Sequence, residues 1–234
     1  MKMVAKYTAR ARGSAIIRFM LDRQLTPLDK LFASATKALR TVLTPANRQA
    51  ARSYPAAAVE EADLDSKQKA HAAGLMRVNH AGEVAAQALY QGHATVARNK
   101  DIEEQMQRAA DEEFDHLAWC EQRMQELGSK PSRLSPLWYA GAYTIGAASG
   151  VLGDKWSLGF IAETEKQVCA HLESHLDRLP ENDAKSRAIV KQMRDEEKVH
   201  GKDAIDAGAA ELPRPIVQLM RATAKVMTKT AYWF

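Results

Sequence analysis

Apolar residues recur at helical spacing in segments set off by caps and breakers, and no strand-like alternation is evident. The first segment opens at Thr26, with Pro27 in its first turn and Asp29 close behind, and runs through Leu28, Leu31, Phe32, Leu39, Val42 and Leu43. It predicts a basic amphipathic helix that lies on a membrane or packs on the rest of the protein. Residues 51–63, with Pro55 and several alanines, read as linker. Four longer helices follow. The first begins near Ser66 and reaches about Arg98. The second opens on a capping-box pattern, Asp101 with Glu104, and stops at Gly128 and Pro131. The third starts near Lys155 and ends before Pro180, and the fourth runs from near Asn182 to Gly208. Short turns at 99–101 and 179–182 make each pair an antiparallel hairpin.

The connection between the hairpins, Leu134 to Gly153, holds 20 residues without a charge. As a helix it would reach about 30 Å, the thickness of a bilayer core. Pro136 and four glycines argue against a span. The expectation is an apolar hairpin or helix that dips into one leaflet and borders a pocket for a lipophilic ligand; the alternative is an ordinary buried crossover. A final segment, 214–230, carries Ile216, Leu219, Met220, Val226 and Met227 on one face and Arg221, Lys225 and Lys229 as a basic stripe. Tyr232, Trp233 and Phe234 complete an amphipathic anchor.

Composition narrows the class. At 234 residues the chain suits one domain with a sizeable core, and abundant Ala with 6% aromatics favours helix. The two cysteines, Cys120 and Cys169, form no Cys-x-x-Cys pair and read as small buried hydrophobes in a reducing compartment. Charge is uneven. Residues 1–52 hold 11 Lys and Arg against 2 Asp, while the whole chain carries only +4. A basic arm on a mildly acidic body points to an anionic surface, and the absence of any nucleic-acid-binding motif leaves the membrane as that surface. Residues 1–20 contain no acid; they have the make-up of a transit peptide, of a leader upstream of a start at Met20, or of a disordered tail. The organisation expected is thus a basic extension at 1–20, an amphipathic helix and linker at 21–65, and a bundle domain at 66–234.

The chemistry lies in a repeated spacing. Glu113 and His116 form one Glu-x-x-His tetrad, and Glu197 and His200 another. Each follows a lone glutamate by about one hairpin: Glu83 precedes Glu113 by 30 residues, and Glu165 precedes Glu197 by 32. Positions three apart share a helix face, so each Glu and His can point inward together. Four carboxylates and two imidazoles from four helices form the ligand set of ferritin-like di-iron proteins. With 16 Glu and 7 His placed at random, roughly 0.5 such tetrads are expected. Two solvated acidic faces, Asp111 to Asp115 and Asp195 to Glu197, would explain the acidity but not the matched spacing. Carboxylates with imidazole suit iron or manganese and permit O2 chemistry. The His-Glu-x-x-His spacing of zinc hydrolases is absent, and so is a Gly-x-Gly-x-x-Gly dinucleotide motif. The expected fold is all-α: a ferritin-like four-helix bundle with a di-iron site, a long apolar crossover and extra amphipathic helices at both ends.

The run Leu75-Met76-Arg77-Val78-Asn79-His80-Ala81-Gly82-Glu83, with Glu113-Phe114-Asp115-His116, Glu163-Thr164-Glu165 ahead of His171, and Asp195 to His200, resembles the demethoxyubiquinone hydroxylases of ubiquinone biosynthesis. The resemblance covers about residues 21–234. It implies a peripheral membrane monooxygenase that hydroxylates a polyprenylated methoxy-methyl-benzoquinol with two irons and O2, its electrons coming from NADH or reduced quinone. By this match Glu83, Glu113, His116, Glu165, Glu197 and His200 are the metal ligands. Glu163 is a rival to Glu165 but lies on another face. His171 matches a family histidine near the site and is expected beside the ligands or against substrate, while Asn79 and His80 read as helix packing. The resemblance also implies a lipophilic quinol substrate, the membrane surface and proteins of quinone biosynthesis as partners. The location implied is the cytoplasmic face of the inner membrane in a bacterium, or the matrix face of the mitochondrial inner membrane in a eukaryote. The rival readings are a ferritin-like ferroxidase that stores iron, a rubrerythrin-type peroxidase, and a scaffold without catalysis. The first leaves the apolar crossover unexplained, and the second lacks its Cys-x-x-Cys site.

Overall fold

The computed structural model describes Phe32, residues 36–42 and residues 49–234. The basic extension and most of the first expected amphipathic helix lie outside the described residues. Residues 1–36 and 37–234 form separate compact units. In the first, the Thr36 hydroxyl donates to the Phe32 carbonyl at 2.8 Å, a helical spacing.

The second unit is all-helical among its described residues, with α1 (Ser66–Val96), α2 (Lys100–Glu126), α3 (Ser135–Leu152), α4 (Asp154–Arg178), α5 (Ala184–Asp206) and α6 (Arg214–Trp233). The hairpins α1/α2 and α4/α5 pack as a four-helix bundle, and α3 and α6 both lie on α1. Helix α1 is therefore enclosed on nearly every side. Its small residues explain how: Ala72, Ala73, Gly74, Ala81, Ala86 and Ala88 are all buried and let neighbours come close.

Local chemistry sets the helix ends. Asp65 caps α1 by accepting from the amides of Lys67 and Gln68, and the Gln68 side chain accepts from the Asp65 amide in return. Helix α2 departs from the expected cap. Asn99, not Asp101, takes that role by accepting from the Asp101 amide at 2.8 Å. Asp101 then falls within the first turn, where its charge favours the helix dipole. Asp183 caps α5 and also accepts from the buried Arg123 guanidinium at 2.9 Å, which ties the end of α2 to the start of α5.

The crossover is one helix, not a hairpin. Two of its four glycines have a packing reason: a Cβ on Gly146 would collide with the Leu89 carbonyl and one on Gly150 with the Val96 side chain, and from the other side a Cβ on Gly92 of α1 would meet the Tyr143 carbonyl. The backbones of α1 and α3 touch through this seam. No helix among the described residues is long and apolar enough to cross a membrane. Residues 51–63 contain no helix yet are packed: Ala56 is buried in the core, and Glu61 receives Arg123 at 2.7 Å. Cys120 is buried and Cys169 half-buried; both are free thiols.

Candidate metal centre and adjoining cavity

Each bundle helix delivers part of one buried cluster. Helix α1 carries Glu83, α2 carries Glu113 and His116, α4 carries Glu165, and α5 carries Glu197 and His200. The relative exposure of the four glutamates is 1% or less, and His200, at 8%, is the most exposed of the six. Four carboxylates would not share a dry space without cations between them.

The geometry has two halves joined by two carboxylates. The Nδ1 atom of His116 lies 3.1 Å from Glu113 Oε2, 3.0 Å from Glu197 Oε1 and 3.6 Å from Glu83 Oε2. The Nδ1 atom of His200 lies 3.2 Å from Glu113 Oε1 and 3.1 Å from Glu197 Oε2. Glu113 and Glu197 thus each offer one oxygen to each imidazole. Glu83 belongs to the His116 half. Glu165 sits beside Gly201, where a Cβ would stand 3.3 Å from its own, and its Oε1 accepts from the Tyr90 hydroxyl at 2.8 Å. Glu83, Glu113, His116 and Glu197 offer ligand atoms all within 4.8 Å of one another.

The outer nitrogens are fixed crosswise. His116 Nε2 meets Glu196 Oε2 at 2.6 Å, and His200 Nε2 meets Glu112 Oε2 at 2.7 Å. A carboxylate on Nε2 keeps the proton there and leaves Nδ1 as a lone pair for a metal. Arg52 backs this arrangement by bridging Asp115 at 2.6 Å and Glu196 at 2.8 Å. Sequence reading missed these supports. The signal was present, since both tetrads are Glu-Glu-x-x-His, but Glu112 and Glu196 passed as acidic surface. Arg52 stood in a segment read as linker.

A metal fits this donor set on two observations. Glu83 Oε2 and Glu165 Oε2 are buried without a hydrogen-bond partner, and the equally buried Glu113 Oε1 and Glu197 Oε1 meet only the Nδ1 atoms of His200 and His116. Without a cation, the site must hold protons instead. Burial, with the charges of Glu113 and Glu197, pushes Glu83 well above the usual carboxylate range, and burial does the same to Glu165. Burial disfavours the imidazoliums, but the carboxylates outweigh it, raising His116 well above its ordinary value and His200 to about 12. Burial likewise opposes the charge on Glu113, yet the two histidines hold it below the usual range.

The other singled-out residues stand outside this cluster. Glu163 accepts from Gln167 at 2.8 Å and faces Arg221 of α6. His171 lies on the wall of a large cavity, its ring centroid 4.0 Å from that of His175, its Nε2 unpartnered and its pKa lowered by burial to about 4. His80 pairs with Glu121 at 3.1 Å. The cavity measures about 790 Å3 and runs between α1, α3, α4 and α6, with Asn79, Glu83, Ile145, Phe160, His171 and Leu219 among its lining. Its wall is mostly apolar.

The family described as "Ubiquinone biosynthesis protein COQ7" matches residues 70–231. A 3-demethoxyubiquinol 3-hydroxylase of Chromobacterium violaceum is 56% identical over 205 residues, covering 88% of this chain and 98% of the relative. Proteins of the same name from Polynucleobacter necessarius, 55% identical over 209 residues, and Alcanivorax borkumensis, 53% over 218, each align over 99% of their own length and over 89% and 91% of this chain. The chain, an all-helical protein with a buried Glu/His cluster beside an apolar cavity, belongs to the COQ7 family of ubiquinone biosynthesis proteins.

Proposed function

We propose that the chain is a 3-demethoxyubiquinol 3-hydroxylase that uses two irons and O2, with Glu83, Glu113, His116, Glu165, Glu197 and His200 as ligands. The observation that carries this reading is the double position of Glu83, which belongs both to the buried cluster and to the wall of the apolar cavity. A ring lying in that cavity is next to the metals, and its isoprenoid tail has an apolar path outward. An iron-storage ferroxidase has no use for such a cavity.

In the overall reaction one oxygen atom enters a ring C–H bond, and the other leaves as water with two electrons and two protons. The electrons come from NADH or a reduced quinone. The irons, when bound, supply the one-electron steps that let O2 react with a closed-shell ring. The protein's part is placement. Glu113 and Glu197 bridge the two halves, Glu112 and Glu196 hold the imidazoles by their outer nitrogens, and Tyr90 holds Glu165. The mostly apolar cavity wall would receive the ring, with His171 on the α4 side of it. The test is turnover of a demethoxyubiquinol under 18O2. One labelled atom is expected in the ring; label arriving from water, or iron oxidation with the quinol unchanged, would replace the hydroxylase by a ferroxidase.

The substrate's solubility sets the setting. Leu137, Val151 and Leu152 of α3 and Leu219, Val226 and Trp233 of α6 are exposed, and these helices flank the cavity. Arg221, Lys225 and Lys229 stand exposed beside them. We read this surface as a peripheral membrane face, on the cytoplasmic side of the inner membrane as befits a chain with bacterial relatives, where proteins of quinone biosynthesis can hand over substrate. Flotation with vesicles containing phosphatidylglycerol should carry the protein upward, with partial release at high salt. A protein that stays at the bottom of the gradient at low salt would remove the membrane assignment.

A further inference from the structure

The cavity next to Glu83 has on its α1 wall a polar group that neither the cluster nor the packing uses. Asn79 is 2% exposed and lies on the cavity wall. Its Nδ2 faces the Met76 sulfur at 3.9 Å, and its Oδ1 has no partner. A buried amide oxygen left unpaired costs stability, so its retention within an apolar wall points to a ligand that completes it. Asn79 precedes Glu83 by one helical turn on the same face of α1, and both residues line the cavity.

We infer that Asn79 Oδ1 accepts a hydrogen bond from a ring hydroxyl of the substrate and thereby selects the reduced quinol over the oxidised quinone. The inference rests on the hydroxylase reading and adds the residue that recognises the redox state. A quinol hydroxyl can donate to Oδ1. A quinone carbonyl has no proton to give, and turning the amide to offer Nδ2 instead would break its contact with the Met76 sulfur. In a 1,4-quinol every ring carbon open to hydroxylation neighbours a hydroxyl-bearing carbon, so anchoring one hydroxyl also fixes the carbon presented to the metals. Across the cavity His171 Nε2 is likewise unpartnered, a second polar contact for the same head group.

The test is anaerobic binding to the full chain loaded with Zn2+, which has no redox chemistry and turns nothing over. The probes are a demethoxyubiquinol with a short isoprenoid tail and its matching quinone, followed by quenching of tryptophan fluorescence. Wild type should bind the quinol more tightly than the quinone. Asn79→Leu should weaken quinol binding about five- to tenfold, the weight of one neutral hydrogen bond, and leave quinone binding unchanged or tighter. Asn79→Asp, which keeps an acceptor, should retain the quinol preference. Equal affinity of wild type for the two forms overturns the inference even if the leucine variant fails to fold, and so does an undiminished preference in a folded leucine variant. Labelled-oxygen turnover of the iron-loaded wild type separates the two readings: hydroxylation without any quinol preference removes only the role of Asn79, whereas no hydroxylation removes both.

Discussion

Replacing Glu113 by alanine is expected to empty both halves of the metal centre at once. Its two oxygens face different imidazoles, Oε2 toward His116 at 3.1 Å and Oε1 toward His200 at 3.2 Å, so no single half survives its loss. Glu83→Ala and Glu165→Ala each strip only one half and should leave the other partly occupied. Anaerobically loaded wild type should hold about two irons per chain, as in di-iron bundles of this ligand set. Glu113→Ala should fall well below one, with turnover lost in step. Glu196→Gln keeps every ligand and weakens the hold on His116 together with the Arg52 ion pair behind it; losses of outer partners of this kind run roughly 10- to 100-fold in affinity or activity. Glu163→Ala, two residues from Glu165 and outside the cluster, should match wild type. Full iron content and turnover in Glu113→Ala would sink the assignment.

The second large effect is on pH. In the metal-free protein the raised values of His116, His200, Glu83 and Glu165 mean that these groups hold protons which a metal must displace. The sign follows. A group whose folded pKa is raised contributes stability below its unfolded value and loses it as pH rises through the folded one. For His200 that window runs from its ordinary 6.5 up to about 12. Raising the pH from 6 to 8 should therefore destabilise the metal-free protein and tighten metal binding. With two imidazoliums titrating, apparent affinity should rise by about tenfold per proton displaced for each pH unit. Glu196, held at about 2, acts in the opposite sense only in strong acid. Thermal melts with and without Zn2+ should show the stabilisation by metal growing across this range. A constant gap between the two melts would mean that the site carries no exchangeable protons and that the histidines are not ligands.

The hairpin pairing and the Glu and His residues that come together in the buried cluster were legible in the chain because both depend on local periodicity. A Glu-x-x-His tetrad puts its side chains on one face whatever surrounds the helix, and the caps at Asp65 and Asp183 act within a single turn. The resemblance named the chemistry for the same reason, through contiguous runs such as Arg77 to Glu83. What sequence could not decide depends on neighbours that come together only in space. Spacing makes Glu112 and Glu113 equally acidic, and only the crossing of α2 with α5 makes one face both imidazoles while the other holds His200 from outside. Asn79 looked like packing until the cavity left its oxygen without a partner. The glycines of the crossover looked like a reason against a membrane span, and in the fold two of them, Gly146 and Gly150, form the seam on which α3 meets α1. The sequence by itself therefore determined which groups share a helix face, because that follows from covalent spacing. Only the tertiary structure decided which faces meet, because contact between distant segments depends on how whole helices pack.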